Sequence, residues 1–158
     1  MTDAIGRAVA WLLPAMVAVT LLIVVLRYAF GQGSIALQES VMYMHGLVFM
    51  LGIPYALKED AHVRVDLLYA RLSERGRARV DLLGHLFALL PVAAVTFLYS
   101  QDYVAAAWRI HEGSPEVGGL PGIFLLKTLI PVTAGLLALQ GAAGIARCVL
   151  LLRRRPGG

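Results

Sequence analysis

The sequence has a single cysteine, Cys148, so no disulfide can close within the chain. Its four histidines stand apart at 45, 62, 85 and 111, and no Cys/His cluster with metal-ligand spacing forms from them. No glycine-rich phosphate cradle and no nucleophile motif occurs. These absences leave no basis for an enzyme and no cofactor site. Charge is scarce as well: Asp, Glu, Lys and Arg make up 15% of the 158 residues, against about 25% in soluble domains. There is no low-complexity segment and no apparent internal repeat.

What is present is apolar, 59% of the chain, and it is gathered into blocks. Uncharged runs extend over Ala8–Leu26, Val41–Leu57, Leu82–Gln101 and Thr128–Ala146, the last continuing to Leu152 past Arg147. Each approaches the roughly 20 residues that carry a helix across about 30 Å of hydrocarbon. Each also holds one proline, Pro14, Pro54, Pro91 or Pro131, which predicts mild kinks that neighbouring groups compensate. The first run is longer than a signal-peptide core and lacks a small-x-small cleavage site, so it is expected to remain as a helix. The predicted fold is all-α and integral to the membrane, one domain over residues 1–158. Its four spans are expected at about 8–30, 37–57, 80–103 and 124–152.

The short connections predict the orientation. Eleven Lys and Arg residues lie in the N-terminal tail, the loop after the second span and the C-terminal tail. The opposite side has Arg27, Arg109 and, at the edge of the fourth span, Lys127. Both termini are therefore expected in the cytoplasm. Within the long basic loop, Val63, Leu67 and Ala70 adjoin a second apolar stripe of Val65, Leu68, Tyr69 and Leu72. This predicts a helix over about 63–72 lying along the membrane surface with Arg64 and Arg71 toward lipid headgroups. Ser73 and Glu74 then suit the cap and first turn of the next helix.

Ionisable groups near or inside a membrane are functional candidates. Glu39 sits where the second span begins and Arg27 where the first ends, joined by a short hairpin, so an Arg27–Glu39 pair, or pairing with a partner subunit, is expected. A proton-coupling Glu39 is the alternative. His45 and His85 fall within spans two and three. At about 1.5 Å per residue they lie roughly 13 and 22 Å from the outer edge, a mismatch of about 9 Å that argues against joint ligation of one haem iron. They read as packed or interface histidines. His62, after Asp60, reads as a cap partner or solvated group, and His111 stands near Glu112 and Glu116 in a spacing that matches no ligand pattern. Gly46, Gly52, Gly135, Gly141 and Gly144 allow close helix approach, either within a bundle or against a larger membrane protein.

Several of these residues also occur in a recognisable order. Arg27-Tyr28-x-Phe30-Gly31 follows span one, and Gln38-Glu39-Ser40 opens span two. Span two closes with Leu51-Gly52-x-x-Tyr55-x-Leu57-Lys58-x-Asp60-x-His62-Val63-Arg64-Val65-Asp66. Before the last span come Glu112-x-Ser114-x-Glu116 and Gly119-Leu120-Pro121. This order, from about Ile5 to Leu152, resembles the small membrane subunit of tripartite ATP-independent periplasmic (TRAP) transporters, the DctQ-like family. Where that family often has a tryptophan before a Glu-Glu pair, this chain has Leu37 and Gln38 before a single Glu39.

The resemblance implies four helices and a surface-lying arm that brace a large transport subunit. It implies a stable complex with that subunit and transient contact with a periplasmic solute-binding protein. The activity it implies is sodium-coupled uptake of an organic acid, with membrane lipids as the surroundings and no nucleic acid involved. Arg27, Glu39, His45, Gly52, His62, Asp66 and Lys127 are then structural or partner-interface candidates. Two other classes compete. A stand-alone four-helix exporter needs a carboxylate in its first span, and Ala8–Leu26 has none. A redox-complex anchor is disfavoured by the histidine depths.

Overall fold

The structure is a computed structural model, and it describes residues 6, 8–58 and 72–153. The surface helix expected over 63–72 therefore falls, but for Leu72, outside the described residues, as do His62 and Asp66. The described elements are α1 (Leu12–Phe30), α2 (Ile35–Lys58), α3 (Glu74–Gly84), a π turn (His85–Leu89), α4 (Leu90–Arg109) and α5 (Ile123–Arg153). No strand occurs among the described residues. Four continuous helical stretches are long and apolar enough to cross a membrane: Ala8–Phe30, Ile35–Leu57, Glu74–Arg109 and Ile123–Arg153.

The helix ends follow from their residues. Gly31 closes α1 in the left-handed region at φ 65°, and its N–H returns to the Leu26 carbonyl, an arrangement glycine adopts without a Cβ penalty. Ser34 then opens α2 by accepting from the Leu37 N–H at 3.3 Å. Ser73 caps α3 as expected, its hydroxyl accepting from Gly76 N–H at 3.2 Å. The π turn sits just ahead of Pro91. Proline supplies no N–H and its ring crowds the carbonyl four residues back. Widening the preceding turn, with Leu90 N–H donating to His85 O, accommodates both.

The main helix contacts join α1 to α2, α2 to α5, and α5 to the α3–α4 stretch. The four spans thus form a row with α5 inside it, and they do not close around a common core. The sparse buried set is made of small side chains, including Ala78, Ala93, Ala107, Ala134, Ser100 and Thr133, with Gly141 and Gly144 of α5. This is the packing expected where lipid offers no hydrophobic drive and close backbone approach supplies the attraction.

Two registers define the row. The α3–α4 stretch runs antiparallel to α5: His85 lies against Gly144, and Leu89 and Leu90 lie against Gly141. By contrast, α2 and α5 run parallel, with Tyr43 beside Gly122 and Gly46 beside Leu126, and Thr133 Oγ1 donating to Met50 O at 3.1 Å. The antiparallel register brings the uncharged runs Leu82–Gln101 and Thr128–Ala146 side by side. Their polar limits then coincide, Asp81 with Arg147 at one edge and Asp102 with Lys127 at the other. About 20 residues at 1.5 Å separate these edges by roughly 30 Å, the thickness of a bilayer core.

Candidate functional site

The polar side chains converge at the end of the row that carries the two hairpin loops, residues 31–34 and 110–122. Glu39, one turn into α2, reaches across to the second loop. Its Oε2 accepts from Leu120 N–H at 2.6 Å, and its Oε1 accepts from the Ser114 hydroxyl. Ser114 Oγ in turn accepts from Glu116 N–H at 3.1 Å, and Ser114 N–H donates to Leu120 O at 3.0 Å. One carboxylate thus holds both sides of the loop. Gly119 packs against Ser114 and Glu39 so closely that a Cβ there would collide with both. The loop tip beyond this clasp is open, with Val117 93% exposed.

A second cluster secures the other root of the loop. Lys127 Nζ, at the start of α5, donates to both Glu112 oxygens at 2.7 and 2.6 Å and lies 4.2 Å from the centre of the Tyr103 ring. Trp108 Nε1 donates to Thr128 Oγ1 at 2.9 Å while its ring meets Phe124 edge-on at 4.7 Å. His111 ends α4 with φ 47° and also meets Phe124 edge-on, at 5.6 Å. That left-handed residue turns the chain so that Glu112 faces Lys127. Lys127→Met is expected to lower thermal stability more than the double change Lys127→Met/Glu112→Gln, because the single change strands a half-covered carboxylate. Melting of the two variants in the same detergent checks this.

The sequence-predicted residues separate into those brought to the loop end and those left apart from it, with His62 and Asp66 outside the described residues. Glu39 and Lys127 are brought into the loop-end network. No ion pair joins Arg27 to Glu39 among the described residues: Arg27 is exposed on α1, and Glu39 has taken the loop instead. Proximity along the hairpin suggested the wrong partner, because loop 110–122 supplies two donors aimed at the carboxylate. His45 is exposed, with its ring stacked 6.4 Å from Phe49. Gly52 has open space where a Cβ would stand. The residues missed as partners, Ser114, Leu120 and Glu112, all lie in the two short motifs before the last span; their regular spacing marked them, but nothing in the sequence said which α2 residue they meet.

The arrangement suits shape and recognition. Among the described residues no group of three or more His, Cys, Asp or Glu is placed to hold a metal. Two open grooves among the described residues are apolar helix faces, one lined by Met16, Val17, Thr20, Leu21 and Val24, the other including Phe97, Pro131 and Leu139, and neither has convergent polar groups that would orient a substrate.

Residues 16–151 match the family described as tripartite ATP-independent periplasmic transporters, DctQ component. No curated protein matches the chain. The family match covers most of the chain, which belongs to the DctQ family of TRAP transporter components. With four apolar helices, it is a multi-pass protein of the inner membrane.

Proposed function

We propose that this chain, as the small membrane component of a TRAP transporter, braces the large transport subunit while that subunit carries out sodium-coupled uptake of an organic acid delivered by a periplasmic binding protein. The observation that carries this reading is the combination of family membership with a chain whose polar groups fasten a loop instead of lining a path. Alternating access needs a site at mid-membrane depth. Here the uncharged runs stay uncharged and the ion pair and clasp sit at the edge.

In this reading both termini are cytoplasmic, by the excess of Lys and Arg at that end, and the clasped loop faces the periplasm. Its open tip is where the binding protein makes transient contact, and its clasped roots pack against the large subunit. Arg27, His45 and Gly52 lie on α1 and α2 without a structural role that uses them up, and they face the large subunit. His62 and Asp66, in the cytoplasmic connection, belong to the same contact.

Affinity purification of the tagged chain from its native membranes tests the reading. Recovery of a larger polytopic partner in equal amount is expected, and recovery of the chain by itself overturns the proposal. Gly52→Ala sharpens the test. The added methyl meets nothing within the chain and improves helix propensity by about 1 kcal/mol, so the isolated chain should melt no lower. Partner recovery should fall several-fold if the large subunit packs there, and unchanged recovery removes Gly52 from the interface.

A further inference from the structure

Glu39 clasps loop 110–122, and Tyr43 stands one turn deeper on the same face of α2. A helical side chain leans toward the start of its helix, which carries the phenol back toward the carboxylate. The two ends converge on one segment. A Cβ placed on Gly122 would stand 3.6 Å from Tyr43 Oη, and one placed on Gly119 would stand 2.7 Å from Glu39 Oε1. Both side chains thus end against residues 119–122, but they do not share its hydrogen bonds. Glu39 accepts from the Leu120 N–H and the Ser114 hydroxyl. Tyr43 Oη is closed off from solvent and has no hydrogen-bond partner among the described residues. The Gly122 N–H lies beside it outside hydrogen-bond geometry, and a donor there cannot take the phenol proton.

A buried donor left unpaired raises the free energy of the state that strands it. One turn away from Tyr43 is a strong acceptor, the Glu39 carboxylate, and the loop occupies it. Closing the loop gives Glu39 two donors and strands the phenol. Opening it releases the carboxylate to the phenol and returns the Ser114 hydroxyl and the Leu120 N–H to water. The closed state therefore gains less than two hydrogen bonds to a carboxylate would supply by themselves, which keeps the open state within reach. We infer that Tyr43 is the second partner of Glu39 and that loop 110–122 is a two-position latch, closed with the carboxylate on Ser114 and Leu120 and open with it on Tyr43. The inference stands on the clasp alone and does not rest on the transporter reading.

Hydrogen exchange at the Leu120 amide, which donates to Glu39 only in the closed state, reads the open population. The measurement uses the full chain in lipid nanodiscs, with melting curves beside it. Tyr43→Phe removes the stranded hydroxyl and the competing donor together. It is expected to slow exchange at Leu120 about ten-fold and to melt at or above the wild-type temperature. Gly119→Ala forces the latch open, because its methyl would collide with Glu39 Oε1, and in that background the sign reverses. Tyr43→Phe added to Gly119→Ala should lower the melting temperature, since the open state loses its Tyr43–Glu39 bond. Leu120→Pro, which deletes the amide proton, supplies the same background where Gly119→Ala is not recovered folded. Unchanged exchange in Tyr43→Phe overturns the inference. Faster exchange or lower melting in that single variant also overturns it, in favour of a phenol already bonded in the closed state through a bridging water. A neutral or stabilising Tyr43→Phe in the open background overturns it in favour of a phenol that opening merely exposes to solvent.

Discussion

Glu39→Ala is expected to detach the large subunit at a cost in assembly greater than any change in substrate preference. The carboxylate accepts from the Leu120 N–H and the Ser114 hydroxyl, and alanine leaves both donors without an acceptor in a half-buried position. Hydrogen bonds to a charged acceptor contribute about 1.5–3 kcal/mol each, so loss of the pair is enough to free loop 110–122 while the helical row persists. Glu39→Gln keeps one carbonyl acceptor and should fall between wild type and alanine. Ser114→Ala removes one donor together with its bond and should be milder than Glu39→Ala. Arg27→Ala, whose side chain takes no part in the clasp, should leave the loop closed. The measurement is recovery of the large subunit with each variant, beside thiol labelling of a cysteine placed at Val117 in a Cys148→Ser background. Normal assembly by Glu39→Ala with altered substrate selectivity would show that Glu39 serves transport directly.

The spans were legible because a bilayer imposes a one-dimensional rule, and uncharged runs of sufficient length satisfy it without reference to any other part of the chain. The helical stretches Ala8–Phe30 and Ile123–Arg153 enclose the uncharged runs Ala8–Leu26 and Thr128–Ala146. The third helix begins six residues ahead of residue 80, where the span was expected to start, because Ser73 caps a helix that simply continues inward through Arg75, Arg77 and Arg79. The sequence signalled that cap, but not that the helix it starts joins the span without a break. Partnerships across the row were hidden for a different reason. Whether Glu39 meets Arg27 or Ser114 depends on which helices are neighbours, and the parallel packing of α2 on α5 is a tertiary fact with no local signature. Nor did the glycines reveal their uses: Gly144 leaves room for the His85 ring, whereas Gly52 and Gly135 face open space, and nothing in the composition distinguishes them.

That contrast among glycines yields the second large effect. Gly144→Ala is expected to destabilise the chain by about 2–4 kcal/mol, the sum of overpacking and one lost hydrogen bond. A Cβ at residue 144 would overlap the His85 ring, standing 2.6 Å from Cδ2 and closer still to Nε2. The ring has little freedom to yield. Its Nδ1 is 2.6 Å from the Asp81 carbonyl, and its backbone begins the π turn that Pro91 requires. To admit a methyl, the imidazole must leave Asp81 or the α3–α5 seam must open. Buried Ala78 and Cys148 share that seam, so opening it loosens the basic end of the row. Truncating the ring should reverse the effect: His85→Ala/Gly144→Ala should be more stable than Gly144→Ala alone, a coupling between adjacent sites that additivity forbids. Gly135→Ala, with no neighbour in reach, is the control and should melt at or above the wild-type temperature. Melting curves of the three variants and the wild type in one detergent decide the matter. If Gly144→Ala melts like Gly135→Ala, the close approach of His85 to α5 does not hold the seam, and the antiparallel register of α3 on α5 needs another anchor.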